Sequence, residues 1–99
     1  MTKQELVQKM QENGAYLPNK TVKLDFGSEG TIMLDGKNNQ VTESDGAADT
    51  TIKVSWEDWQ AMADGQLDGM TAFMTGKLKV EGDMSNAMQL QGVLAKSRG

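Results

Sequence analysis

The 99-residue chain contains no cysteine and no histidine. These absences exclude disulfides, thiolate nucleophiles and imidazole bases, together with zinc and copper sites that need sulfur or imidazole. Most familiar hydrolase mechanisms rest on one of those groups. Apolar material is sparse as well: 37% hydrophobic and 5% aromatic residues give a modest core for one domain, expected to span residues 1–99, and too little for two. Positive charge is in deficit, with ten Lys and Arg against fourteen Asp and Glu and a formal charge of −4, so the composition carries no footprint for nucleic acid. No run approaches the ~20 apolar residues of a membrane span. Met1–Met10 holds Lys3 but no apolar stretch of the kind found in targeting segments, and the expectation is a soluble, cytoplasmic protein. Methionine, by contrast, is plentiful, with eight residues in a chain that has two Trp, one Tyr and two Phe.

The order of residues supplies the elements. Thr2 and Glu5 stand at capping-box spacing, Leu6, Val7 and Met10 follow at helical intervals, and Asn13-Gly14 offers a left-handed stop, which predicts a helix of about three turns. From Thr21 the period becomes two, with Val22, Leu24 and Phe26 on one face and Lys23 and Asp25 on the other. After a Gly27–Gly30 turn, Thr31–Leu34 reads as a second strand, Gln40–Glu43 as a short edge strand and Asp49–Val54 as a fourth, in meander-like succession. Ser55 and Asp58 cap a helix carrying Trp56, Trp59, Met62 and Ala63; Asp68 caps a shorter one with Met70, Phe73 and Met74. Lys77–Glu81 alternates as a fifth strand, and Asp83 or Ser85 starts a last helix with Met84, Ala87, Met88, Leu90, Val93 and Leu94. Strands with one polar face require the helices on the other face of a single sheet, hence an α+β fold.

No short motif carries chemistry. Gly69 and Gly76-Lys77 lack the Gly at 71 and the Ser or Thr at 78 that a phosphate-binding loop needs. Asp35-Gly36 and Asp45-Gly46 lack the alternating oxygen ligands of a calcium loop and read as turns. No carboxylate stands in an apolar run that would raise its pKa for acid–base work. Neither a catalytic residue nor a metal or cofactor site is expected. Lys77 and Lys79 are suited to a lipid phosphate or an acidic partner, although alternating lysines on an exposed strand are ordinary. Five methionines, at 62, 70, 74, 84 and 88, fall on predicted helices beside Trp59, Phe73 and Leu90. Such a cluster fills an irregular core, or forms a surface that repacks around ligands of variable shape.

Asp49–Ser55, Trp59, Met62, Gly65, Leu67, Asp68, the ungapped run Thr71–Met84, and then Ala87, Met88 and Leu90 together resemble the sterol carrier protein type 2 family. Its most specific part is Ala72-Phe73, Gly76-Lys77-Leu78-Lys79-Val80 and Gly82-Asp83-Met84; residues 21–48 match more loosely. The resemblance implies a five-stranded, mostly antiparallel sheet with helices packed on one face, enclosing an apolar tunnel for fatty acids, fatty acyl-CoA, phospholipids or sterols, and no chemistry of its own. It implies that Trp59, Met62, Met70, Phe73, Met74, Met84 and Met88 lie near the lipid, with Leu90 and Leu94 closing one end. The implied partners are the lipid and, transiently, a membrane or an enzyme; the alternative is an accessory interaction module of the same fold without lipid, and the oligomeric state stays open. The chain departs from the family in a shorter first helix, in Thr75 where a glutamine commonly offers a polar contact, and in ending Ser97-Arg98-Gly99 instead of the peroxisomal Ser-Lys-Leu.

Overall fold

Strand β1 (Thr21–Asp25) lies at the centre of the sheet because it is apolar enough to be covered and has a neighbour on each side. The computed structural model describes residues 2–97, with side chains at all of these positions except 63, 91 and 93–97. The strands β2 (Thr31–Asp35), β3 (Gln40–Thr42), β4 (Thr50–Val54) and β5 (Leu78–Gly82) complete a five-stranded sheet in the order β3-β2-β1-β4-β5. Four helices accompany it among the described residues: α1 (Lys3–Asn13), α2 (Trp56–Ala63), α3 (Gly69–Met74) and α4 (Met84–Ser97), with a single 3-10 turn at Gly27–Glu29. None of the helices is long and apolar enough to cross a membrane.

Register turns the alternating sequence into one apolar face. Val41, Leu34, Val22 and Thr50 form one row across the sheet, and Ile32, Leu24, Ile52 and Val80 form the next. Leu6 and Met10 of α1, Trp59 of α2, Ala72 of α3, and Ala87 and Leu90 of α4 join these side chains in one buried cluster. The helices therefore cover one face, as the alternation predicts.

The sheet is antiparallel except at β1 and β4, which pair in parallel, so the expected succession of four strands ends at β3. The reason lies at the outer edge of β3. Gln11 of α1 takes the Val41 N–H on its side-chain oxygen at 2.7 Å and donates its amide to the Asn39 carbonyl at 3.2 Å. With that edge occupied, the chain crosses back to the free edge of β1. The crossover is tied to the other face of the sheet, where the Thr31 hydroxyl donates to the Ser44 carbonyl at 3.0 Å and Lys23 pairs with Asp45 at 3.3 Å. Met33, whose position in the alternation predicts exposure, is 6% exposed on that face.

The ends of α1 follow the sequence signals. The Glu5 N–H donates to the Thr2 hydroxyl and the Thr2 N–H to the Glu5 carboxylate, each at 3.2 Å, and Gly14 closes the helix at φ 61°. Gly36 is required for a different reason: its N–H donates to the Lys20 carbonyl at 2.8 Å, and a Cβ would collide with the Leu17 carbonyl. Gly92, in α4, faces open space. Gly36→Ala is expected to lower unfolding free energy by about 2–3 kcal/mol through forced displacement of the Leu17–Lys20 loop. Gly92→Ala is expected to raise it by about 0.5–1 kcal/mol through helix propensity. Urea unfolding of the two variants against the parent measures both.

Candidate functional site

The residues singled out by sequence lie on α2, α3 and α4, and each helix is placed by a cap. Ser55 accepts the Asp58 N–H at 3.1 Å to start α2, which puts Trp56 and Trp59 one turn apart on the same side. Both indoles meet Phe26 edge to face, with ring centroids 5.1 Å away for Trp56 and 5.8 Å for Trp59. This aromatic group anchors α2 over the end of β1. Phe26 was legible only as a strand-face residue; its partners on α2 are distant in sequence.

Asp68 starts α3 by accepting the Thr71 N–H at 3.2 Å, and Gly76 reverses the chain at φ 79° so that the Lys77 N–H meets the Ala72 carbonyl at 2.9 Å. Ala72 is the residue that α3 buries. Met70 and Met74 sit on the opposite side of the helix and Phe73 on its flank, and all three are exposed, Met74 to 78%. The sequence pattern places an apolar stripe on α3 correctly, but the helix presents its small residue to the sheet and turns the stripe outward. Thr75 donates its hydroxyl to the Thr71 carbonyl at 2.8 Å.

The start of α4 is fixed by a polar junction that the sequence pattern does not reveal. The Thr50 hydroxyl, in the inner face of β4, donates to the Asp83 carbonyl at 2.8 Å and accepts the Asn86 amide at 3.1 Å. Thr50 and Asn86 are each 1% exposed. Gly82, at φ 91°, lets β5 reach this junction, since a Cβ there would meet the Asp49 carbonyl. α4 then buries Asn86, Ala87 and Leu90 and leaves Met84 and Met88 exposed. Of the predicted lining residues, Trp59 and Leu90 are therefore inside, Met62 is half-buried, and Met70, Phe73, Met74, Met84 and Met88 are on the outside. The side chain of Leu94 lies outside the described residues.

The electrostatics are those of caps and turns. Ser85 donates its hydroxyl and its N–H to the Asp83 carboxylate at 2.8 and 2.9 Å, and these bonds hold the carboxyl below its ordinary pKa. Asp49 is lowered by the Thr21 N–H and hydroxyl, and Asp35 by the Asn38 side chain and the turn N–H groups. Each is a carboxylate stabilised as an anion, the reverse of a group tuned to hold a proton at neutral pH. Among the described residues no group of His, Cys, Asp or Glu is arranged to hold a metal ion. The stability supplied by a depressed carboxyl is present above its unfolded-state pKa and is lost as pH falls through the folded-state value. Unfolding midpoints should thus fall between pH 7 and pH 3, and Asp83→Asn should shrink that fall, measured by urea titration at the two pH values.

Comparison with known proteins bears on this arrangement directly. The model of the SCP-2 sterol transfer family matches residues 3–95. Sterol carrier protein 2 of Bos taurus is 40% identical over 70 residues, covering 68% of this chain and 13% of that protein. A fatty acid-binding protein of Yarrowia lipolytica is 32% identical over 75 residues, covering 76% of this chain and 54% of that protein. The chain thus spans a minor part of the first of these relatives and about half of the second. The solution structure of sterol carrier protein 2 from Aedes aegypti, in complex with palmitate, superposes with a TM-score of 0.76 over 92% of each chain at 22% identity, a likeness of fold. With the family model matched over residues 3–95 and the fold shared, this chain belongs to the SCP-2 sterol transfer family.

Proposed function

We propose that this chain is a lipid carrier, a single domain over residues 1–99 that holds a fatty acid, a fatty acyl-CoA or a related acyl lipid in an apolar site walled by the helices α2, α3 and α4, in the cytoplasm and without chemistry of its own. The observation that carries the proposal is the apolar surface of α3 and α4: the exposed large hydrophobic residues among those described are Met70, Phe73, Met74, Met84 and Met88, all on these two helices. Concentrated exposure of this kind marks a binding surface. Methionine suits a pocket wall that must repack, being unbranched and polarizable. Family membership supports the choice of a lipid, the fatty acid-binding relative supports an acyl chain, and the palmitate-bound structure of the same fold supports the capacity of this architecture for a C16 acid.

Energetics favour a site that closes around its ligand. An empty apolar space of about 300 Å³ would cost about 7 kcal/mol at ~24 cal/mol per Å³, comparable to the whole stability of many domains. Met70, Met74, Met84 and Met88 are exposed while Ala72, Ala87 and Leu90 are packed inward, an arrangement of long flexible side chains that can close over a ligand. Burying a C16 chain gains at most about 12 kcal/mol, and association and ordering consume a large part of it. Micromolar affinity, about 8 kcal/mol, is expected, which suits a carrier that must release its load to a membrane or an enzyme.

The exposed faces of α3 and α4 also favour a second reading, an accessory module that docks on another protein without lipid. Native mass spectrometry of gently purified protein, with displacement of a fluorescent fatty acid, separates the two. Co-purified lipid and saturable displacement are expected; neither lipid nor saturable binding would leave the accessory role. Met74→Asp or Met88→Asp should weaken binding about ten-fold or more, while their exposed positions leave folding intact. Lys23→Ala and Glu43→Ala, in ion pairs with Asp45 and Lys3, should bind as the parent does. Equal losses in both pairs of variants would misplace the site.

A further inference from the structure

A carrier of acyl lipids must meet the polar end of its ligand as well as the chain, and one buried donor is available for it. Trp59 is 4% exposed, and its indole Nε1 is enclosed with no hydrogen-bond partner among the described residues. The indole N–H is a donor only, and buried tryptophans normally satisfy it, because an unmet donor keeps the full cost of leaving water. No other buried side-chain nitrogen or oxygen among the described residues is left in this state. The Thr75 hydroxyl, at the end of α3, spends its one hydrogen on the Thr71 carbonyl at 2.8 Å.

The indole is also held firmly. Phe26 packs edge to face against it at 5.8 Å and 62°, and the Trp59 N–H of the backbone is fixed in α2 by the Ser55 carbonyl at 2.9 Å. A donor fixed in this way loses little freedom when it gains an acceptor. We propose that the Trp59 Nε1–H donates to the acceptor oxygen at the head of the bound lipid, a carboxylate or an ester carbonyl, and so orients the chain with its head at α2 and its tail toward the methionine faces of α3 and α4. Trp59 then confers preference for oxygen-bearing acyl lipids over plain hydrocarbon. This assignment rests on the lipid-carrier function proposed above and adds the ligand's orientation to it.

The test uses three ligands of equal chain length: dodecanoate, methyl dodecanoate and dodecane. Nitrogen-15 labelled protein carrying Trp56→Phe gives one indole signal, that of Trp59. Its N–H resonance should move downfield with dodecanoate and with its ester, the carboxylate having the larger effect, and should shift little with dodecane. Trp59→Phe should lower dodecanoate affinity about ten-fold and leave dodecane affinity within about two-fold of the parent. The spectroscopic arm needs no change at Trp59 and stands if Trp59→Phe fails to fold. Saturable dodecanoate binding with an indole shift no different from that of dodecane would overturn the inference while leaving the carrier function intact, and would leave a bridging water as the partner of Nε1. Failure of all three ligands to bind would overturn both.

Discussion

The Thr50 hydroxyl joins the sheet to the helix that follows β5, and the placement of the candidate site depends on it. One oxygen, buried in the inner face of β4, reaches the Asp83 carbonyl and receives the Asn86 amide, so the chain must leave β5 at one point and in one direction. That direction decides which residues of α4 enter the core and which remain outside. Ala87 and Leu90 go in; Met84 and Met88 stay out. A buried polar junction is costly unless every member is satisfied, and here the close passage of Gly82 past Asp49 brings the partners within reach.

Local signals made much of the fold legible. The capping box at Thr2 and Glu5, the caps at Ser55 and Asp68, and the period-two run from Thr21 each specify an element through contacts a few residues apart. What they do not specify is the choice between distant partners. β4 pairs with β1 because Gln11, nearly thirty residues before β3, occupies the outer edge of that strand. Met33 is buried on the face where the alternation predicts exposure, and the bond between Thr50 and Asn86 is legible only once β4 and α4 are brought together. The apolar stripes of α3 and α4 were legible as stripes. Their outward orientation was not, because a six-residue helix can bury its single alanine as readily as its methionines, and its caps decide which.

The missing cysteine and histidine, the low apolar content and the surplus of methionine are consistent with one physical task. A small domain has little stability to set against a permanent cavity. Side chains that are long and flexible, as methionine is, can repack around a ligand without a permanent cavity. The caps and turns that hold α3 and α4 leave Met70, Met74, Met84 and Met88 exposed, while Phe26 fixes the one aromatic wall, on α2, that carries a buried donor.

Carbon-13 labelling of the methionine methyl groups tests this division of the molecule directly. On titration with palmitate, the methyl signals of Met62, Met70, Met74, Met84 and Met88 should shift saturably and show intermolecular Overhauser contacts to the acyl chain. Those of Met10, in the α1 core, and Met33, buried on the other face of the sheet, should stay in place. Contacts to Met10 and Met33 instead, or no saturable shift at any of the five methionines of α2, α3 and α4, would contradict a lipid site formed by those helices.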